Sequence, residues 1–268
     1  MWVVTDQDSR IVLVPTIHYL PENIEWYGPR LRAAVTEADR IWFEVPLSEL
    51  RDASRSGALI AELGLLQDGT LTGRLSPEKV RELRRVARRL GLPMKDLEAM
   101  RPWLAAITIS VTDLMNEGFD PDYGVEKALS ARAGELPERG LETMQQQLRF
   151  FADLPLEAEL AFLDMALASA GKGPAAFRAL AASWARGDVS GLEAGVLDGL
   201  RGAHPELHRV LVTTRNRAWA ELLTELMAGD GHDLVAVGAG HLVGDDGLPA
   251  LLAARGFTVE EIGFAPSP

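Results

Sequence analysis

The sequence predicts an α/β protein: a central mixed sheet built from N- and C-terminal strands, with a large helical insertion covering its C-terminal rim. Three observations predict it. Short β-branched apolar runs stand at the two ends of the chain, at Trp2–Thr5, Arg10–Val14 and Ile41–Phe43, then at Leu234–Val237 and Phe257–Ile262. Between Leu47 and Met227 the apolar residues recur mainly at helical spacing. Two of the terminal runs are followed closely by a histidine, His18 and His241. We therefore expect a single domain over residues 1–268, with sheet-forming segments 1–46 and 232–264 and a mainly helical insertion 47–231.

Taken in order, Trp2–Thr5 and Arg10–Val14 read as a hairpin around the polar turn Asp6-Gln7-Asp8-Ser9. A loop after His18 leads to a helix from about Pro29 to Ala38, with Leu31, Ala34 and Val35 on one face. Ile41-Trp42-Phe43 forms the next strand and ends in Glu44. This strand–helix–strand order predicts that the strands leading to His18 and Glu44 are parallel neighbours, with both end residues on one rim. Ser76-Pro77-Glu78 signals a helix start, followed by Val80, Leu83, Val86 and Leu90 at helical spacing. The intervening Arg81, Arg84, Arg85, Arg88 and Arg89 read as a solvated face. Gly118-Phe119-Asp120 opens a helix reaching about Ala133, and Glu135-Leu136-Pro137 leads a short strand towards Gly140-Leu141-Glu142-Thr143. Amphipathic helices then run to Met227, the last carrying Arg215, Asn216 and Trp219. A buried strand, Leu234–Val237, a helix over about Gly247–Ala254 and a strand over Phe257–Ile262 close the chain.

Composition narrows the function. The 268 residues are 47% hydrophobic and 25% charged, ordinary for a globular enzyme with a proper core. A net charge of −12 disfavours nucleic acid and anionic membrane partners and raises the local concentration of cations. There is no cysteine, so any metal must be held by His, Asp and Glu. No apolar run approaches the ~18 residues that span a bilayer. Met1-Trp2-Val3-Val4 opens directly into a strand with no signal-peptide pattern. The expectation is a soluble chain without stable membrane insertion, cytoplasmic as written and periplasmic or secreted if a leader has been removed. Self-association is left open.

The strand ends carry the chemistry. Gly238 and Gly240 break the strand at Val237 and place His241 in the crevice outside the carboxyl ends of the strands, where ligands bind in open α/β sheets. With His18 and Glu44 on the same rim, two imidazoles and one or two carboxylates suit a divalent ion such as zinc, manganese, cobalt or iron. Such an ion lowers the pKa of bound water enough for it to attack an amide or ester. The bland alternative is that each histidine is a hydrogen-bonded structural residue. Other motifs are weaker. There is no His-Glu-x-x-His helix, nucleophile elbow or Walker loop. His204 and His208 read as surface residues, and His232 as exposed in a Gly/Asp turn. Gly238–Gly244 with Glu260 downstream resembles a dinucleotide fingerprint in spacing, but the chain ends at once and His241 is bulky where a pyrophosphate would approach.

The motifs together resemble the TraB/GumN family, which includes the TIKI group of metalloproteases. They run in order through Val14-Pro15-Thr16-Ile17-His18, Leu20-Pro21, Phe43-Glu44, Pro102-Trp103, Gly118-Phe119-Asp120, Gly140-Leu141-Glu142-Thr143 with Gln147, Arg215-Asn216, and Gly238-Ala239-Gly240-His241. The resemblance implies a divalent-metal hydrolase, a peptidase using manganese, cobalt or zinc on a peptide or small-molecule substrate. It implies His18, Glu44 and His241 as the metal set. Glu44, Glu142, Arg215 and Asn216 are then the catalytic partners, with Arg215 stabilising an oxyanion. Pro15 departs from the family's glycine, which removes a backbone donor and puts catalysis in question. The alternatives are a non-catalytic peptide-binding protein on the same fold, in which His18 and His241 are hydrogen-bonded and Glu44 pairs with Arg215, and a small-molecule esterase.

Overall fold

The computed structural model describes residues 1–170, 175–195 and 199–263. The fold is α/β, with one six-stranded mixed sheet and many helices. The strands are β1 (Trp2–Thr5), β2 (Arg10–Thr16), β3 (Arg40–Phe43), β4 (Glu138–Gly140), β5 (His232–Gly238) and β6 (Thr258–Glu261), in the spatial order β4-β3-β5-β2-β1-β6. β1 and β2 form the expected hairpin, with Trp2 opposite Leu13, and β6 joins β1 antiparallel. β2, β5, β3 and β4 run parallel, so their carboxyl ends share one rim.

One expectation is corrected. β2 and β3 are not neighbours, because β5 lies between them, pairing Leu13 with Val235 on one side and Val235 with Trp42 on the other. Burial explains the order. Asp233 to Val237 of β5 are buried one after another, as are Ile11 to Thr16 of β2. Strands that bury both faces take the middle of a parallel sheet. β3 alternates half-buried and buried positions, and lies nearer the edge. Asp233 is held at the base of β5 by Arg40 (2.9 Å to each carboxylate oxygen) and the Trp42 indole (2.8 Å). Pro15 lies beyond Leu13, the last residue of β2 that β1 pairs, so its missing N–H leaves no gap in that ladder. Its carbonyl accepts from the buried Trp184 indole at 2.9 Å.

The described residues form two compact units. The first takes Met1–Arg51, Asp120–Thr143 and Phe177–Pro268, and so contains the whole sheet. Three of its helices matter below: α1 (Pro29–Glu37), α2 (Val125–Ala133) and α3 (Arg215–Met227). The second unit, Asp52–Phe119 with Met144–Ala176, is helical. Its core gathers Leu83, Val86, Ile109, Leu163 and Leu167. The helix Pro77–Leu90 starts as its sequence indicates, with the Ser76 hydroxyl accepting from the Lys79 amide, and it ends at Gly91 with φ 74°. The five arginines of that helix are exposed. Among the described residues, no helix is long and apolar enough to cross a membrane.

Candidate functional site

The polar residues of the first unit meet at the carboxyl ends of the parallel strands. Glu44 follows β3 directly, and Glu142 is drawn beside it because its amide donates to the Glu44 carbonyl at 2.9 Å, two residues past the end of β4. His241 ends a short 3-10 turn, Ala239–His241, immediately after β5. Arg215 and Asn216 open α3, straight after a π-helical turn over Arg209–Thr214. Such turns are rare and recur at functional sites. Gly238 permits the closest approach: a Cβ there would lie 3.0 Å from Glu44 Oε1, and its amide donates to that oxygen at 2.8 Å.

Arg215 is the hub. Its Nη2 donates to Glu44 Oε2 (2.5 Å) and Glu142 Oε1 (2.7 Å), its Nε to Glu142 Oε2 (3.3 Å), and its Nη1 to the Leu211 carbonyl (3.2 Å) and His241 Nε2 (3.1 Å). A guanidinium has five N–H groups, and here each has an acceptor within the protein. Trp219, one turn along α3, lies under the guanidinium at 4.6 Å and against the His241 ring at 4.6 Å. Asn216 completes the arrangement. Its Oδ1 faces His241 Nδ1 at 2.7 Å, and its Nδ2 donates to the carbonyls of Asp246 (2.8 Å) and His241 (3.3 Å).

Protonation follows from these contacts. Burial, reinforced by Arg215 and His18 and opposed by Glu44, pushes the His241 pKa down to about 3. The ring is therefore neutral at neutral pH. With Arg215 donating to Nε2, the ring proton sits on Nδ1 and goes to Asn216. Burial acts to raise the Glu44 pKa, but Arg215, His241 and His18 together hold it well below the ordinary carboxylate range. For Glu142 burial prevails over Arg215, and its pKa is raised.

His18 stands apart in character. Its side chain is 59% exposed, and Nδ1 lies 2.7 Å from Glu126 Oε1, a carboxylate only 13% exposed. Glu126 sits in the first turn of α2, which is brought against the His18 loop by Val125 N–H donating to the Ile17 carbonyl at 3.1 Å. Gly124 allows it, since a Cβ there would meet the His18 carbonyl at 2.3 Å. The Glu126 charge, opposed by partial burial, raises the His18 pKa to about 9. Burial acts against Glu126 ionising, yet the His18 charge and the hydrogen bonds it receives lower its pKa.

The donor types suit a borderline divalent ion, but their arrangement does not. Glu44, Glu142 and His241 all point at Arg215, and His18 turns Nδ1 to Glu126. Among the described residues no three His, Asp or Glu side chains stand close enough to ligate one ion.

Glu44, Glu142, Arg215, Asn216 and His241 are thus in mutual contact, and His18 acts on them through its charge. Sequence reasoning missed Glu126, which has no motif around it. It also passed over Trp219 as a site residue, although its i, i+4 spacing from Arg215 was a usable signal. His208 is a correction. It is 7% exposed, not at the surface, and its Nε2 lies 3.6 Å from Asp246 Oδ2, the side chain that also accepts from Thr213 (2.6 Å) and Arg201 (3.1 Å). The proline at 205 starts a helical turn that carries His208 inward, which a reading by hydropathy does not reveal. His232 is exposed as expected.

The fold and site define an α/β protein with a buried charged cluster at the carboxyl ends of its parallel strands. The pattern of the TraB/PrgY/gumN family matches residues 1–261, and the chain belongs to that family. An uncharacterized protein of Treponema pallidum (strain Nichols) is 23% identical over 266 residues, covering 95% of this chain and 80% of the relative. The uncharacterized protein YbaP of Escherichia coli (strain K12) is 24% identical over 242 residues, covering 90% of this chain and 86% of YbaP, and YbaP of Shigella flexneri aligns equally well. No solved structure matches the chain.

Proposed function

We propose that this protein is a hydrolase of peptide or related acyl bonds whose proton-transfer residue is His18. The observation that supports the reading is the His18–Glu126 pair: an exposed imidazole oriented through Nδ1 by a largely buried carboxylate, beside a buried charged cluster. In its neutral form His18 takes a proton from water at Nε2 while the water oxygen bonds to the substrate carbonyl carbon. Glu126 stabilises the imidazolium so formed, and the proton then passes to the leaving amine or alkoxide as its bond to the carbonyl carbon breaks. Glu44, Glu142, Arg215, Asn216 and His241 form the fixed wall behind this step. The buried side chains converge on the Arg215 guanidinium, which leaves the proton transfer to His18 and water. Arg215 has no N–H left for a substrate oxyanion, so its role is to hold the wall.

The test is incubation of the purified protein with a peptide mixture and with small esters, followed by mass spectrometry of the products. Cleavage that rises with pH towards about 9 and disappears in H18N supports the reading; intact substrates, or undiminished cleavage in H18N, overturn it. A second reading, a non-catalytic peptide-binding protein, is favoured by one observation: Glu44, Glu142, Arg215, Asn216 and His241 already satisfy one another. Retention of intact peptides by wild type, with no products, would support it.

A further inference from the structure

We propose that the cleft between α1 and α2 is a binding site for a small organic anion, a carboxylate or phosphate carried on a short apolar body. The cleft lies within the first unit and shares no lining residue with the rim cluster or the His18–Glu126 pair. It therefore stands or falls independently of the hydrolytic reading.

Three features carry it. The first is shape. A cavity of about 660 Å³ is lined by Arg32, Val35 and Thr36 of α1, by Arg132 near the end of α2, by Leu136 just beyond it, and by Tyr27. That volume lies in the range of roughly 300–1,000 Å³ usual for small-ligand sites. The second is charge. The guanidinium carbons of Arg132 and Arg32 lie 4.6 and 5.8 Å from the centroid of the same Tyr27 ring, and so at most about 10 Å from each other. Neither has a carboxylate partner among the described residues, and Arg132 Nη1 donates to the Ala128 carbonyl at 2.9 Å. In a chain of net charge −12, two unpaired cations over one ring reverse the local sign, and an anion between them relieves their repulsion. A guanidinium fork matches a carboxylate or phosphate with two parallel hydrogen bonds. The third is a fixed base. Tyr27 packs edge-on against Trp26 (5.6 Å), which packs on the buried Trp184 (5.7 Å) and lies 5.8 Å from the Arg132 guanidinium. The cations are thus positioned before a ligand arrives, which lowers the ordering cost of binding. Val35 and Leu136 supply the apolar surface that takes the body of the ligand.

The experiment is an NMR titration of the full chain with benzoate, phenyl phosphate, inorganic phosphate and the neutral benzyl alcohol. It follows the side-chain Nε–H signals of Arg32 and Arg132 and compares wild type with R32Q, R132Q and the control R84Q on an exposed face of the second unit. Benzoate or phenyl phosphate is expected to move both arginine signals along one saturable curve. Inorganic phosphate should bind more weakly than phenyl phosphate, and benzyl alcohol should leave the signals in place. Affinity for the aryl anion should fall about tenfold in R32Q and in R132Q, where a charge-assisted contact is lost, and stay unchanged in R84Q. Tighter binding of one aryl anion than the other supports the proposal and tells carboxylate from phosphate. Both glutamine variants replace exposed side chains; should either fail to fold, R32K or R132K, which loses the fork, takes its place and should also bind more weakly. No saturable shift with either aryl anion overturns the proposal. So does inorganic phosphate binding as tightly as phenyl phosphate, or an affinity unmoved by the substitutions at both arginines.

Discussion

Glu126→Gln removes one charge and keeps the shape and the hydrogen-bond acceptor beside His18. In the wild type the Glu126 carboxylate, 2.7 Å from Nδ1, is the largest influence raising the His18 pKa from its ordinary 6.5 to about 9; Glu44 adds to it, while burial and Arg215 oppose it. Taken at face value this difference corresponds to about 3.4 kcal/mol of attraction, at ~1.36 kcal/mol per pH unit. Water screens an imidazole that is 59% exposed, so about 1 kcal/mol is the expected stabilisation. Its sign with pH follows from both partners. A raised histidine pKa contributes fully below about 6.5 and is lost as pH rises through about 9. The lowered Glu126 pKa contributes above its ordinary 4.5 and is lost as pH falls below it. E126Q should therefore be less stable than wild type by about 1 kcal/mol near pH 6, with the gap closing by about pH 10. Urea melts at the two pH values measure this, and NMR titration of the His18 Cε1–H should show its pKa falling towards 6.5. If hydrolysis is found, its rising pH limb should move down with it. An unmoved His18 pKa in E126Q would refute the reasoning, because the pair would then not be the source of the shift.

Two further substitutions probe the buried cluster. Gly238→Ala adds a Cβ 3.0 Å from Glu44 Oε1, so the carboxylate must shift away from the Gly238 amide and Arg215; a loss of about 1–3 kcal/mol is expected in urea melts, with a folded circular-dichroism spectrum retained. Glu44→Gln should cost more stability than Glu142→Gln at neutral pH. Glu44 is held strongly ionised by Arg215 and the histidines, whereas burial raises the Glu142 pKa and favours its neutral form. Parallel denaturation of the two variants checks the order. The Glu44 contribution is present above the unfolded carboxylate pKa and is lost only in strong acid, so the gap between the variants should persist down to mildly acidic pH.

Much was legible without coordinates. Short β-branched apolar runs located the strands, and Asp6-Gln7-Asp8-Ser9 between two such runs announced the hairpin. Even the weak strand ahead of Glu142 is present, as the three residues of β4. The rim position of His241 followed from glycines that end β5, and the closeness of Gly238 to Glu44 shows why one of them must be glycine. What local pattern could not reveal is pairing across long separations. The place of β5 between β2 and β3 joins residues about 190 to 220 apart in sequence, and only the competition for full burial decides it.

The same division holds in the site. The chain by itself pointed to the polar residues near the rim, because two histidines and two glutamates stand at expected strand ends and an Arg-Asn pair on a late helix. Tertiary structure alone decided how they partner. Glu126 reaches His18 from 108 residues away through the approach of α2, and Arg215 reaches Glu44 across 171 residues to occupy the point on which Glu142 and His241 also converge. The physical reason is that a buried carboxylate must find a cation or a donor. Residue types and spacing show which groups need partners, whereas only the packed sheet and helices fix which partner lies within reach.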